Sequence, residues 1–205
     1  LGEALILETL ILSTLNHASS IATAAARITH AANGKFVMEA GSRRIHPEAA
    51  VHAARAAYIG GIHVTSNLEA GLRWGIPTAG TASHAFTLAY PSELEAFNAQ
   101  QEFLGGDSIF LVDTYDIVQG INNAVEASDG NLKGIRLDSG DLKKGALTAR
   151  TLLDSLGAKD AQIMVSGDLD EHQIELLCEA PIDAFESGHR LVTGSGVPSA
   201  GFVYK

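Results

Sequence analysis

The chain has 205 residues, 46% of them hydrophobic, and its 14 basic and 24 acidic residues give a net charge of −10. This size and composition fit one globular domain over residues 1–205 and argue against disorder. The acidity argues against binding to nucleic acid or to an anionic membrane, and the single cysteine, Cys178, excludes an internal disulfide and favours a cytoplasmic location.

The first predicted element is an apolar helix over residues 3–32. Glu3 and Glu8 interrupt its opening run, and no basic region precedes it. The run is also too short to span a bilayer, so we predict a largely buried first helix rather than a signal or an anchor. Because the sequence lacks an initiator Met and ends on an apolar run, we expect both ends to be cut from a longer protein.

Apolar runs then alternate with helical patterns along the rest of the chain. The predicted strands are 36–40, 61–65, 78–81, 108–113, 134–138, 162–166 and 184–186. The further predicted helices are 47–59, 69–74, 93–103, 117–127, 144–156 and 171–180. Strand–helix alternation predicts an α/β fold with a parallel sheet. About seven strands in a chain shorter than the roughly 250 residues of a (β/α)₈ barrel favour an incomplete or irregular barrel, with a doubly wound sheet as the alternative.

Three of the predicted strands end in a turn that contains aspartate. The acidic residues at these turns are Asp113, Asp116, Asp138, Asp141 and Asp168. Parallel strands would bring their C-terminal ends to one patch, where carboxylates could hold Mg²⁺ or sugar hydroxyls. Asp141 can also serve as a helix cap, whereas capping explains less at Asp113 and Asp138.

Basic residues and one histidine occupy other strand ends. Arg136 is the one charged residue in an otherwise apolar predicted strand, and beside Asp138 it could bind an anion. Arg43 and Arg44 lie in a strand–helix loop, where we favour anion binding over a surface pair. His84 follows a predicted strand and lies among small residues. This placement supports a catalytic role and a structural role equally.

Two polar segments complete the candidate set. Thr65, Ser66 and Asn67 could line a polar pocket, although helix capping by Ser66 or Asn67 explains them better. The Gly- and Ser-rich loop over residues 187–196, with Gly188 and His189, could cradle a phosphate with backbone N–H groups.

Seven segments occur in an order that resembles the core of bacterial nicotinate phosphoribosyltransferases, which are type II phosphoribosyltransferases. They are Gly-Ser-Arg-Arg-x-His, Thr-Ser-Asn, Gly-Thr-x-x-His, Val-Asp-Thr-Tyr-Asp, Arg-Leu-Asp-Ser-Gly-Asp-Leu, Ser-Gly-Asp-Leu-Asp-Glu and Leu-Val-Thr-Gly-Ser-Gly. The likeness runs from about residue 5 to the end, and seven motifs in register are far more specific than any one of them.

The resemblance implies that nicotinate and phosphoribosyl pyrophosphate give nicotinate mononucleotide and pyrophosphate, in NAD salvage. It also implies ATP as co-substrate, which places the family among ligases, and Mg²⁺ as cofactor. The family forms its active site across a homodimer, so a homodimer or higher oligomer is expected here.

The resemblance also assigns roles to residues of this sequence. His84 matches the phosphorylated histidine, and Arg136 and Asp138 complete the implied catalytic set. Asp113, Asp138 and Asp168 match carboxylates near Mg²⁺. The implied substrate-binding residues are Arg43, Arg44, Thr65, Ser66, Asn67, Asp113, Asp116, Ser139, Gly140, Ser166, Gly167, Asp168, Gly188 and His189.

Some features depart from the family pattern. Ala40 stands where many relatives carry an aromatic residue, and Glu186 where glycine is common; the family's N-terminal domain and C-terminal portion are missing. Two alternatives therefore stay open. One is a truncated or inactive relative that binds ligand without turnover. The other is a quinolinate-type phosphoribosyltransferase, against which the scarcity of basic residues and the Gly-Thr-x-x-His segment argue.

Overall fold

The computed structural model describes residues 2–204, which form two compact units. Unit 1 contains the described residues up to Ala79, together with residues 168–175 and 186–204. Unit 2 contains residues 80–167 and 176–185. Residues 1 and 205, the ends of the predicted domain, lie outside the described part.

Helices and strands alternate along the chain, as predicted. The helices are α1 (Gly2–Ala31), α2 (Pro47–Ile59), α3 (Leu68–Trp74), α4 (His84–Leu88), α5 (Glu93–Leu104), α6 (Ile117–Ala127), α7 (Leu142–Ser155), α8 (Glu171–Leu177) and α9 (His189–Val192), with a 3₁₀ turn at Gly105–Asp107. The strands are β1 (Phe36–Glu39), β2 (Val64–Thr65), β3 (Ile109–Leu111), β4 (Gly134–Leu137), β5 (Gln162–Val165) and β6 (Ala184–Ser187). The α/β class is therefore confirmed, with six strands between residues 2 and 204. Only the short helices α4 and α9 and the 3₁₀ turn were not predicted.

The predicted strand over residues 78–81 is wrong. Thr78 forms only an isolated parallel bridge to Thr65. The bridge consists of two hydrogen bonds, from the Thr65 N–H to the carbonyl of Pro77 and from the Ala79 N–H to the carbonyl of Thr65. The pairing ends at Ala79, so Thr81 lies in a loop rather than in a strand.

In unit 2 the sheet follows chain order. Strand β3 pairs with β4, β4 with β5, and β5 with the first residues of β6, all parallel. This order contains no reversal, whereas a doubly wound sheet reverses at its switch point. Phe97 and Phe110 pack against each other in the core, with ring centroids 4.8 Å apart. Parallel pairing brings the C-terminal ends of β3, β4 and β5 to one edge.

In unit 1 the strand β1 is flanked on both sides. It pairs in parallel with β2, and the Ala40 N–H donates to the carbonyl of Ser187 at the end of β6. Helix α2 begins at Pro47, as predicted, and packs its alanine-rich face inward. The loops that follow β1, β2 and β6 consequently lie side by side.

Helix α1 differs from the prediction in its burial. The helix is present, but apolar side chains of its first half, such as Leu5 and Ile6, are exposed, and burial begins at Ser20. By length and composition α1 could cross a membrane, which is weak evidence because signal sequences and soluble core helices meet the same criteria. The expected burial of its first half is therefore wrong for the described chain.

Candidate active site

Four predicted site residues converge in unit 2, at the C-terminal ends of β3 and β4. The Nε2 atom of His84 lies 3.6 Å from Oδ2 of Asp138 and 3.9 Å from Oδ1 of Asp113. The guanidinium of Arg136 donates to Oδ1 of Asp138 at 2.8 Å. Two carboxylates, one guanidinium and one imidazole thus share a single cluster, as the strand-end argument predicted.

Arg136 is the most thoroughly anchored member of this cluster. It is 8% exposed, although it belongs to an otherwise apolar strand. Besides Asp138, its Nε donates to the Ser166 hydroxyl at 2.8 Å and its Nη1 to the Thr81 hydroxyl at 2.6 Å. Contacts in three directions fix the plane of the guanidinium, which predefines how an anion could approach it.

The Asp138 carboxyl is held in its ionised form. Its partial burial favours the neutral acid, but hydrogen bonds from Ser166 and Arg136 and the charge of Arg136 outweigh burial, so the pKa of Asp138 lies below its usual value. A carboxylate that stays charged next to a fixed cation can stabilise positive charge on a bound substrate.

Asp113 is more deeply enclosed, with a side chain only 2% exposed. Its Oδ2 accepts the Asp138 N–H and the Ser139 hydroxyl, each at 2.8 Å. Its Oδ1 is buried and has no hydrogen-bond partner in the part of the chain that the structure describes. Such an acceptor is uncommon, and the Nε2 atom of His84 lies 3.9 Å from it.

The two nitrogens of the His84 ring have different surroundings. Nδ1 lies 3.1 Å from the Thr114 hydroxyl, and Nε2 faces the two carboxylates. His84 begins the short helix α4, and its side chain is 38% exposed. The ring is therefore oriented from one side and remains accessible from solvent.

The cluster offers two carboxylates to a divalent cation. Oδ1 of Asp113 and Oδ2 of Asp138 both face Nε2 of His84. No three acidic, histidine or cysteine side chains between residues 2 and 204 form a group that could hold a metal. Two carboxylates fit Mg²⁺, which commonly takes one or two protein ligands and fills its shell with water and substrate phosphates.

Two of the aspartates act as helix caps. Asp116 accepts the Gln119 N–H at 2.9 Å at the start of α6, and Asp141 accepts the Lys144 N–H at 3.0 Å at the start of α7. Asp141 was predicted as a possible cap, whereas Asp116 was assigned to substrate. Capping accounts for the position of Asp116 in this structure.

Two glycines shape the backbone next to the carboxylates. Gly140 has φ +75°, and Gly167 has φ +119°. A Cβ on Gly167 would lie 2.8 Å from the carbonyl oxygen of Asp138, so only glycine allows these two turns to approach. The backbone here fixes the Asp138 turn against the end of β5.

The remaining predicted residues belong to unit 1. Thr65 is buried and accepts the Asn67 N–H at 3.0 Å, and Asn67 caps α3 by accepting the Ala70 N–H at 2.8 Å. The Asn67 amide also donates to the Ser42 hydroxyl at 3.0 Å. Capping by Asn67 is confirmed, while the half-buried Ser66 is bound through its backbone N–H to the carbonyl of Glu39.

The basic loop of unit 1 is open to solvent. Arg43 and Arg44 are both exposed, and Arg44 lies 3.9 Å from the carboxylate of Asp168. Asp168 therefore faces a cation within its own unit. Gly188 precedes the four-residue helix α9, which begins at the exposed His189. A Cβ on Gly188 would lie 3.0 Å from the carbonyl of Ala40, so this loop packs closely on the end of β1.

Three residues with clear positions in these networks were missing from the predicted set. The Thr81 hydroxyl accepts a hydrogen bond from Arg136, and the Thr114 hydroxyl is hydrogen-bonded to Nδ1 of His84. Glu39, the last residue of β1, is 1% exposed and accepts hydrogen bonds from the Gly41 N–H and the Thr65 hydroxyl. A charge within an apolar strand singled out Arg136, and the same signal is present at Glu39.

Comparison with protein families gives a match over residues 21–195 to the family described as quinolinate phosphoribosyl transferase, C-terminal domain. The chain is 52% identical to nicotinate phosphoribosyltransferase from Mycobacterium tuberculosis, over 100% of this chain and 47% of that protein. It is 44% identical to nicotinate phosphoribosyltransferase from Bacillus subtilis, over 100% of this chain and 44% of that protein. The chain thus spans about half the length of the curated relatives it matches.

A solved structure shares the fold. The crystal structure of nicotinate-nucleotide pyrophosphorylase from Pyrococcus furiosus superposes with a TM-score of 0.85 and 34% identity, covering 91% of this chain and 50% of that one. The sequence comparisons therefore confirm the resemblance of the seven segments, and the solved structure confirms the fold.

Proposed function

The chain belongs to the family described as quinolinate phosphoribosyl transferase, C-terminal domain, and from this premise we propose that it transfers a phosphoribosyl group from phosphoribosyl pyrophosphate to nicotinate. The observation that carries the proposal is the cluster of His84, Asp113, Arg136 and Asp138 in a chain whose relatives bear the name of this activity. The product, nicotinate mononucleotide, would enter NAD salvage.

The proposed reaction exchanges one bond at the ribose C1 atom. The bond to the pyrophosphate oxygen breaks, and a bond to the pyridine nitrogen forms, with no proton transferred. The transition state carries positive charge on the ribose, as in glycoside hydrolysis. Asp138 and Asp113 are suited to stabilise this charge, because the first is held ionised and the second keeps a buried acceptor.

Arg136 would orient the acceptor substrate through the carboxylate of nicotinate. Its guanidinium is already fixed by Ser166, Thr81 and Asp138, so little ordering remains to be done when the substrate binds. The pyridine nitrogen is itself a nucleophile, so positioning rather than a general base is what the site must provide.

Mg²⁺ is part of the proposal as the cofactor. Asp113 and Asp138 would hold it, directly or through water, and bound Mg²⁺ would neutralise the charge that develops on the pyrophosphate. Asp168, matched to the family's third carboxylate, would act near the phosphates together with Arg44, the cation it faces.

ATP coupling would act through His84. In the proposed step the bond between the γ-phosphorus of ATP and its bridging oxygen breaks, so that ADP leaves, a bond from phosphorus to a ring nitrogen forms, and the ring proton is released to solvent. The added charge would change the electrostatics beside Asp113 and Asp138, which lie within 4 Å of Nε2.

Residues of unit 1 would bind the substrate phosphates and nicotinate. Arg43 and the turn at Gly188 and His189 are proposed for the phosphoribosyl phosphates, and Thr65, Ser66 and Asn67 for nicotinate and its pocket. A serine at position 66 suits an acidic substrate, because a carboxylate there would repel nicotinate. A homodimer, which the resemblance implies, and a cytoplasmic location, which the single cysteine favours, complete the proposal.

Quinolinate is the second candidate substrate. The name of the matching family supports it. The low number of basic residues, 14 Lys and Arg, argues against a dicarboxylate substrate.

One experiment separates these functions. The chain is incubated with γ-³²P-ATP, Mg²⁺, phosphoribosyl pyrophosphate and either nicotinate or quinolinate. Acid-labile, base-stable label on His84 and nicotinate mononucleotide formed from nicotinate support the proposal. Product from quinolinate with release of CO₂ overturns it. Label without product identifies a relative that has lost turnover. If neither label nor product forms, the proposed function is overturned for this chain.

A further inference from the structure

The carboxylate of Glu39 contacts two of the loops that carry the proposed substrate residues of unit 1. Strand β1 lies between β2 and the end of β6, and Glu39 is its last residue. The neighbouring Ala40 N–H donates to Ser187, which precedes the loop with Gly188 and His189. The side chain of Glu39 is nevertheless 1% exposed and therefore does not itself reach a substrate from solvent.

Each oxygen of this carboxylate serves a different loop. Oε1 accepts the N–H of Gly41, the second residue of the loop that leads to Arg43 and Arg44. Oε2 accepts the hydroxyl of Thr65, at the end of β2. One side chain therefore binds the start of two loops, because a carboxylate has two acceptor oxygens that point apart.

The bonds extend beyond Glu39 into both loops. The Thr65 hydroxyl accepts the Asn67 N–H, and the Asn67 amide donates to Ser42, which closes a ring of contacts back to the first loop. The backbone carbonyl of Glu39 adds a bond from the Ser66 N–H. Removing the carboxylate would leave a buried N–H and a buried hydroxyl without their acceptor.

We propose that Glu39 is a positioning residue, which joins the Arg43–Arg44 loop to the Thr65–Asn67 loop so that both present their polar groups to substrate in one fixed arrangement. The proposal deepens the proposed function and rests on it for the identity of the substrate. The physical link itself, one carboxylate between two loops, can be tested without turnover.

The test compares Glu39→Gln and Glu39→Asp with the exposed control Glu48→Gln. Glutamine keeps the length but only one acceptor, and aspartate keeps both acceptors but is one methylene shorter. In ¹H–¹⁵N NMR spectra of the chain we expect both Glu39 variants to shift the amides of Gly41, Thr65 and Asn67, while the Lys144 amide of unit 2 stays in place. Shifts confined to Gly41, or absent from Asn67, overturn the link between the loops.

The second measurement concerns substrate. We expect the Glu39 variants to raise the Kd or KM for phosphoribosyl pyrophosphate roughly ten- to a hundredfold, with a much smaller change in kcat and in the melting temperature. The Glu48→Gln control should leave all three unchanged. A loss of kcat alone, or a loss of binding that only parallels unfolding, overturns the positioning role. If the amides shift while the parent chain binds no substrate, the proposed function fails and the link stands.

Discussion

Two carboxylates at strand ends, the partly buried Asp138 of unit 2 and the buried Glu39 of unit 1, are held by different kinds of partner. Asp138 accepts hydrogen bonds from the Arg136 guanidinium and the Ser166 hydroxyl and lies near the His84 imidazole. Glu39 accepts hydrogen bonds from the Gly41 N–H and the Thr65 hydroxyl. Burial raises the pKa of Glu39 despite these two hydrogen bonds, whereas the corresponding contacts of Asp138 overcome burial and lower its pKa.

The difference indicates different uses of the same functional group. A carboxylate kept ionised beside a cation and open to one side can act on charge in a substrate. A carboxylate enclosed by neutral donors can only hold the segments that donate to it.

Replacing His84 by alanine should abolish phosphate labelling from γ-³²P-ATP, because the nitrogen that would accept the phosphoryl group is gone. The fold should persist, since the side chain is partly exposed and starts a short helix. Labelling is measured by acid-labile, base-stable radioactivity. His172→Ala, an exposed histidine of α8, is the control and should keep full labelling; label that survives in His84→Ala rules out this assignment.

Asp138→Asn should lower turnover by roughly 10²–10³-fold, the usual cost of removing a group that stabilises transition-state charge. Stability should fall by only about 1 kcal/mol, because the amide oxygen can still accept from Arg136. Steady-state kinetics and chemical denaturation give the two numbers.

The matched control is Asp141→Asn, three residues further on. Asparagine caps helices as well as aspartate does, so both activity and stability should be nearly unchanged. If Asp138→Asn costs as much stability as activation free energy, Asp138 is a structural residue like Glu39 and the contrast fails.

Gly120→Ala should destabilise the chain by about 1–3 kcal/mol, because a Cβ there would overlap the carbonyl of Val112, directly before Asp113. Gly145→Ala is the comparison, since its Cβ would meet only the Leu137 side chain at 3.4 Å within α7. That variant should gain about 0.5–1 kcal/mol from helix propensity. Equal effects of the two substitutions in urea denaturation would show that the close packing of α6 does not hold the Asp113 turn.

The smallest expected effect is the dependence of stability on pH, which should have opposite sign at the two carboxylates. The folded state favours protonated Glu39, so this contribution is complete below the ordinary pKa of 4.5 and is lost as pH rises through the folded pKa. Asp138 contributes stability above its ordinary pKa of 3.8 and loses it as pH falls through the lowered value. Denaturation of Glu39→Gln and Asp138→Asn from pH 3 to 7 should remove one dependence each; slopes of the same sign would contradict the pKa directions.

Local sequence signals determined the elements of this protein and many of its turns. Apolar runs predicted six strands close to their observed positions, and Asp, Asn and Pro at fixed places relative to helical patterns predicted caps such as Asn67 and Asp141. These predictions succeed because a strand or a cap is decided by residues within a few positions of each other. The convergence of Asp113, Arg136 and Asp138 followed from parallel pairing alone.

The tertiary structure alone decided which partner each polar group meets. Thr81 reaches Arg136 across 55 positions, and Glu39 reaches Thr65 across 26, so no local pattern contains either contact. It also left the first half of α1 exposed, because the burial of an apolar helix depends on the surfaces available to it. The sequence therefore specified which charged residues lie at the ends of strands. The long-range packing of the loops determined which of these carboxylates stay ionised and which are buried and bind two loops together.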